Sequence, residues 1–171
     1  MHAVLIGPLA IAALVLAVAG ATKLRSPDAA ARAARSLGLP GGRALIRALA
    51  ALELALSLWC LIAPTALSAC VLASAYGSLA VIALALARRQ AACGCFGREE
   101  GPTSTVHWAL SALLALPGLA AVLWTPRGLV WLISHHPALS AVLVVGVAGG
   151  AYALVTVYTQ LPPAWGAWNA R

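Results

Sequence analysis

Cys93 and Cys95 stand one residue apart, with Gly94 between them and Phe96-Gly97 directly after. The thiolate is the reactive form of cysteine, and a neighbouring cation favours it. Arg88, Arg89 and Arg98 lie close in sequence and could supply that cation. His107 follows at the start of the next apolar segment, where it could accept the proton of a leaving thiol. Gly94 and Gly97 give the backbone freedom that a tight Cys-x-Cys turn needs. A disulfide across so short a spacing closes a small ring, and strained disulfides are the labile, exchanging kind. Three roles therefore fit the pair. They are thiol–disulfide exchange, inert packing as small buried residues, and a soft-metal site, to which the single methionine, Met1, adds no thioether path.

Other residues with chemistry are few. Cys60 and Cys70 form a second candidate thiol pair, set at similar distances on either side of a short turn at Pro64, where they could face each other across a helical hairpin. About 23 residues separate Cys70 from Cys93, roughly 35 Å of helix at 1.5 Å per residue, which excludes direct exchange between the two pairs. The alternative is two small packing residues in Ala-rich helices. Glu53 lies midway along an apolar segment, where an acid is expensive and therefore paired or functional. Desolvation favours its neutral form unless a cation such as Lys23 or Arg47 reaches it. His135-His136 has no carboxylate nearby and is a weak metal signal. Gly146 and Gly150 give a small-xxx-small spacing suited to close helix contact, within the chain or between copies.

The elements that must position these groups are membrane helices. Of 171 residues, 63% are hydrophobic and 9% charged, too little polar surface for a soluble domain. The apolar runs are continuous and long enough to cross a hydrocarbon core of about 30 Å. Lipid leaves helices or a closed barrel as the spanning structures, and these runs lack the alternation of barrel strands. The net charge of +7 suggests nucleic acid at first sight. The basic residues flank the apolar runs, however, which is the pattern that orients membrane proteins, and no basic patch with interleaved aromatics accompanies them. Nucleic acid is excluded, and the lipid bilayer is the expected environment.

The fold class is all-α, a polytopic transmembrane bundle with a four-helix core and a fifth C-terminal span. The spans fall at about 4–21, 44–63, 66–87, 106–124 and 139–158, in one integral-membrane domain over 1–171 whose core is about 1–125. The first could be a signal peptide with Ala17-Val18-Ala19 as cleavage site, but no basic residue precedes it, so a retained helix is expected. Between the first two spans, Ser26-Pro27-Asp28 reads as a helix start with a serine cap, opening a short surface helix over 29–37 that carries Arg32 and Arg35 toward lipid headgroups. Pro117 is expected to kink the fourth span, residues 125–136 form a connector, and Trp165 and Trp168 in the tail could rest at the interface. With five spans, one side collects the first basic loop with Arg88, Arg89, Arg98 and Arg171, and the other only Arg127. This asymmetry predicts an N-terminus outside and a C-terminus in the cytoplasm of a multi-pass cell-membrane protein. It puts Trp59, Trp124 and Trp131 at the outer interface and Cys93 and Cys95 on the cytoplasmic side.

Three pieces together resemble the methylamine-utilisation protein MauE family, within a broader DoxX-like group of small membrane bundles. They are Ala19-Gly20-Ala21-Thr22-Lys23-Leu24 with Pro27, Glu53, and Cys93-Gly94-Cys95-Phe96-Gly97, in that order over roughly the first 125 residues. Family members often carry a basic residue in the helix after the cysteine motif, and here that span has no Lys or Arg. The resemblance implies an accessory role in maturing an extracytoplasmic amine dehydrogenase, whose small subunit is rich in disulfides, alongside a thioredoxin-like partner. On that basis Cys93 and Cys95 form the redox couple, Arg98 favours the thiolate, His107 moves protons, and Lys23 and Glu53 order the bundle near the site. No metal is expected. By analogy with other membrane thiol oxidases a quinone is the candidate electron acceptor, although no motif specifies it. The alternatives are a non-enzymatic membrane scaffold with inert cysteines and, last, a soft-metal carrier.

Overall fold

A computed structural model describes residues 2–96 and 103–169, with side chains described over 4–96 and 103–161. Gly97, Arg98 and Arg171 lie outside the described residues, and Trp165 and Trp168 outside the described side chains. The chain is all-helical. Its elements are α1 (His2–Arg25), α2 (Asp28–Ser36), α3 (Arg43–Ile62), α4 (Ala66–Arg88), α5 (Thr105–Leu123), α6 (Leu129–His135) and α7 (Pro137–Asn169). Among the described residues five helices, all but α2 and α6, are long and apolar enough to cross a membrane. The protein is a multi-pass membrane protein.

Helix α1 is the most buried span and the centre of the bundle. Its Ala12 and Ala13 are wholly inaccessible, and small residues of this kind let neighbouring backbones come close where no hydrophobic force joins helices in lipid. One close approach is at Gly20, where a Cβ would lie 2.9 Å from the Ala50 carbonyl oxygen of α3. Helices α4 and α5 share the most extensive interface of the molecule, and α7 leans on α1. That last contact uses Gly150, whose missing Cβ leaves room for Ile11, while the space beside Gly146 is open. Tyr76 of α4 donates to the Ala12 carbonyl of α1 at 2.6 Å, inside the core.

The turn between α3 and α4 is short because it is well capped. Thr65 Oγ1 accepts from the Ser68 backbone N–H at 3.1 Å, and Ser68 Oγ accepts from the Thr65 N–H at 2.9 Å, which satisfies two orphan donors. Trp59 and Trp124 lie half exposed at this end of the bundle. Gly128, just before α6, fits against the Ile62 carbonyl, so α6 belongs to the same end.

Several expectations are corrected. Ser26 does not cap α2. Its N–H bonds back to Thr22 O at 2.8 Å, so it finishes α1, and Pro27 takes the capping position without a side-chain bond. The freed Asp28 carboxylate accepts from Arg43 Nε at 2.5 Å instead. The connector over 125–136 contains the seven-residue α6. Helix α1 runs a turn past the expected 21, which places Lys23 on the helix and not in a loop. Helix α7 continues helical through Pro162-Pro163 to Asn169, beyond the expected end at 158.

Candidate functional site

The site is assembled from three stretches far apart in sequence. Close packing at Gly20 sets the first two. Glu53 lies directly against the Gly20 position, and Lys23, nearly one turn further along α1, reaches over to it. Lys23 Nζ and Glu53 Oε1 are 2.5 Å apart, with side chains 8% and 16% exposed. Lys23 is thus the cation that reaches the intramembrane acid, and Arg47 stays exposed on α3. The second carboxylate oxygen, Glu53 Oε2, is buried and has no hydrogen-bond partner among the described residues.

The third stretch is the loop after α4. Gln90 adopts a left-handed conformation, φ 53°, and the Ala91 N–H reaches back to Leu86 O at 3.0 Å while Gln90 N–H reaches Ala87 O at 3.2 Å. This paired closure ends a helix and reverses the chain. Thr103 then clamps the loop, its N–H and hydroxyl both donating to Ala91 O, at 3.0 and 2.6 Å. The Arg89 guanidinium donates to the Ser36 carbonyl, tying the end of α4 to the end of α2.

Inside this loop Cys93 and Cys95 are joined by a disulfide, with Cα atoms 5.3 Å apart. Gly94 lies between them at φ +63°, and a Cβ there would fall 2.5 Å from the Ala29 backbone. Both conformation and clearance require glycine. The cysteine loop therefore rests on the backbone of α2, whose Ala29, Ala31 and Ala33 are buried. Cys93 packs with Ala33 and Leu86 beneath α2, and Cys95 bridges that small cluster to the main core.

A cavity of about 300 Å³ lies under α2, and Lys23, Glu53, Cys93 and Cys95 all line it. Its remaining wall is apolar, so the ion pair and the two sulfurs are the polar and reactive groups exposed to anything that enters. A second, much smaller cavity of about 20 Å³ lies beyond Cys95. Lys23, Tyr76, Ser111 and Tyr158 also border it. It is large enough for a single water with several polar partners.

The structure places the other expected residues as follows. Phe96 is buried and packs against Tyr158 with the rings tilted, centroids 5.3 Å apart. His107 is buried at the start of α5, with its Nδ1 turned to the Ser104 N–H at 3.3 Å and its ring edge-on to Tyr158 at 5.9 Å. It lines neither cavity bordered by Cys95. Among the described contacts, its ring meets Tyr158, which in turn meets Phe96 beside Cys95. Cys60 is buried and donates to Ser68 O at 3.6 Å, Cys70 is exposed, and both are free thiols. The hairpin does not join them. His135 stacks on Trp131 at 4.5 Å with Arg127 over the same ring, at the opposite end of the bundle. Among the described residues no group of three or more His, Cys, Asp or Glu side chains gathers.

Sequence reasoning missed Tyr158, Ser111 and Tyr76. Tyr158 Oη and Ser111 Oγ are 3.1 Å apart in the core. Isolated tyrosines and serines in apolar helices carry no spacing signal, and only packing shows that they meet at one point.

The family model for methylamine utilisation protein MauE matches residues 1–126. The chain belongs to the MauE family. Comparison with curated proteins and with solved structures returns no match. Membership supports an accessory membrane role in methylamine utilisation. The matched residues include Lys23, Glu53 and the whole Cys-Gly-Cys-Phe-Gly motif, while Tyr158 on α7 lies beyond the MauE match.

Proposed function

We propose that the protein exchanges disulfides with a thiol-bearing partner during maturation of an extracytoplasmic amine dehydrogenase, with Cys93 and Cys95 as the reacting couple. One observation carries the reading. Three separate stretches of sequence converge on a single cavity that holds both sulfurs and a buried ion pair. Inert packing residues would need neither the left-handed glycine nor a cavity beside them.

The exchange balances without further reagents. A thiolate of the partner, a thioredoxin-like protein or the secreted client itself, attacks one sulfur. The Cys93–Cys95 bond breaks and its electron pair leaves on the other sulfur. A second partner thiol attacks the mixed disulfide and releases the couple with two thiols. The partner has lost two electrons and two protons and gained a disulfide, and the couple has gained both. Lys23, in the cavity with the sulfurs, favours the leaving thiolate electrostatically. The same assistance from Arg98, and proton acceptance by His107, complete the residues assigned to the step.

The decisive experiment compares Cys93→Ser and Cys95→Ser with the parent for dehydrogenase maturation at equal protein abundance. Loss of maturation in both is expected. Full maturation in either would eliminate exchange and leave a scaffold with inert cysteines. The arginine distribution favours a couple at the cytoplasmic face with the N-terminus outside, where a thioredoxin-like partner on that side would meet it; direct exchange with the secreted client requires the inverted orientation. After mild reduction in intact cells, a membrane-impermeant maleimide should then leave Cys93 and Cys95 unlabelled. Labelling would invert the orientation without touching the exchange chemistry.

A further inference from the structure

We infer that the couple is reoxidised from within the bilayer, by a prenylated quinone that enters between α3 and α4. This rests on the exchange reading, and it names the oxidant that reading needs for a second turnover.

The cavity under α2 is not isolated. A groove of about 530 Å³ runs along the outer faces of α3 and α4, and Leu49, Glu53, Leu79 and Ile82 line both spaces. The two helices are joined by the short Thr65 turn and touch each other little. The groove's outer wall carries Leu52 and Val71, both exposed on the flank that faces lipid. An apolar molecule dissolved in the membrane therefore meets a continuous row of shared residues, from the flank of the bundle to the cavity holding the sulfurs.

The polar groups choose the occupant. Glu53 is the eleventh residue of the twenty in α3, counting from Arg43, so the ion pair sits near mid-depth and not at a headgroup level. A phospholipid phosphate would lie at the wrong depth and against a carboxylate. An acyl chain would leave the buried Glu53 Oε2 as it stands, without a partner. A quinone fits on both counts. Its ring carbonyl can accept from the Lys23 ammonium, its reduced form can donate a hydroxyl to Glu53 Oε2, and its prenyl tail matches the groove. The combined space falls in the usual range for small-molecule sites, about 300–1,000 Å³. In the step, the two thiols of the reduced couple lose two electrons and two protons and form the Cys93–Cys95 bond. The quinone takes up both and becomes the hydroquinone, with two new O–H bonds.

The test uses the full chain in phosphatidylcholine nanodiscs free of quinone. After reduction of the couple, decylubiquinone is added and its conversion to the quinol is followed by absorbance. One quinol formed per couple is expected. Leu52→Trp and Val71→Trp, both on exposed positions that line the groove and not the cavity, should slow that conversion at least about tenfold, as expected when a reactant is displaced from its site. In the same variants, closure of the couple by diamide, a water-soluble oxidant, should be unchanged. Parental quinol formation in both Trp variants overturns the entry route. A couple that diamide closes but decylubiquinone leaves open overturns the quinone. Failure of the oxidised couple to exchange with dithiothreitol sinks the exchange reading itself, and is read separately.

Discussion

Cys93 and Cys95 occupy a loop, bonded to each other on the wall of a cavity that also holds a lysine and a glutamate. Cys60 and Cys70 occupy two helices, unbonded, one in the core and one on the outer surface. Both pairs are close in sequence or in the hairpin, so proximity along the chain does not separate them. Rotation about the helix axis does. Ala69 is fully buried, and Cys70, one residue and about 100° further round α4, is turned away from the bundle. Cys60 points inward and meets the Ser68 carbonyl, a satisfied polar contact and not a thiol. Two cysteines two positions apart in sequence point about 200° from each other on a helix, so they bond only where the backbone leaves the helical period, and the α4–α5 loop supplies that.

The largest effect expected from this contrast is on exchange itself. Cys93→Ser should abolish disulfide transfer to dithiothreitol, whereas Cys60→Ser and Cys70→Ser together should retain the parental rate. A loss in the double variant equal to that of Cys93→Ser would erase the distinction between the two regions.

The ion pair sharpens it next. Removing one partner of a buried pair leaves an uncompensated charge and costs about 3–5 kcal/mol, whereas replacing both by apolar residues is often neutral or better. Lys23→Met alone should therefore lower the melting temperature in detergent markedly, and Lys23→Met with Glu53→Leu should restore it. If Lys23 also serves the sulfurs, exchange stays slow in the restored double variant. Recovery of exchange together with stability would confine the pair to architecture.

Much of this was legible in the sequence, and the reasons divide cleanly. Five spans follow from uninterrupted apolar length, because lipid permits little else. Lys23 was one of two partners foreseen for Glu53, an acid too costly to leave alone, and the close packing of α1 on α3 at Gly20 brings it there while Arg47 stays exposed. Gly94 was legible as a turn residue, but its contact with the Ala29 backbone was not, since it depends on how α2 folds under the loop. The cap at Ser26 misled because a Ser-Pro-Asp triplet fits a helix start equally well when the serine is still bonded to the helix before it. Helix α7 was legible as a fifth span following a four-helix core, but its delivery of Tyr158 to Phe96, His107 and Ser111 was not, since a lone tyrosine in an apolar helix carries no spacing signal.

Tyr158 gives the smallest effect and the finest test of where the cysteine region ends. Tyr158→Phe keeps the ring that packs against Phe96 and His107 and removes only the hydroxyl 3.1 Å from Ser111 Oγ. A net hydrogen bond contributes about 0.5–1.5 kcal/mol, and Ser111 can turn its own hydroxyl to a helix carbonyl, so the loss belongs at the low end. For a chain of this size that is roughly 1–2 °C in melting temperature. Exchange by Cys93 and Cys95 should persist if the tyrosine only supports the loop from behind. A clear fall in exchange rate with the melting temperature nearly unchanged would bring the small cavity beyond Cys95, and with it α7, into the chemistry. The reactive region would then extend past the part of the chain that the MauE family shares.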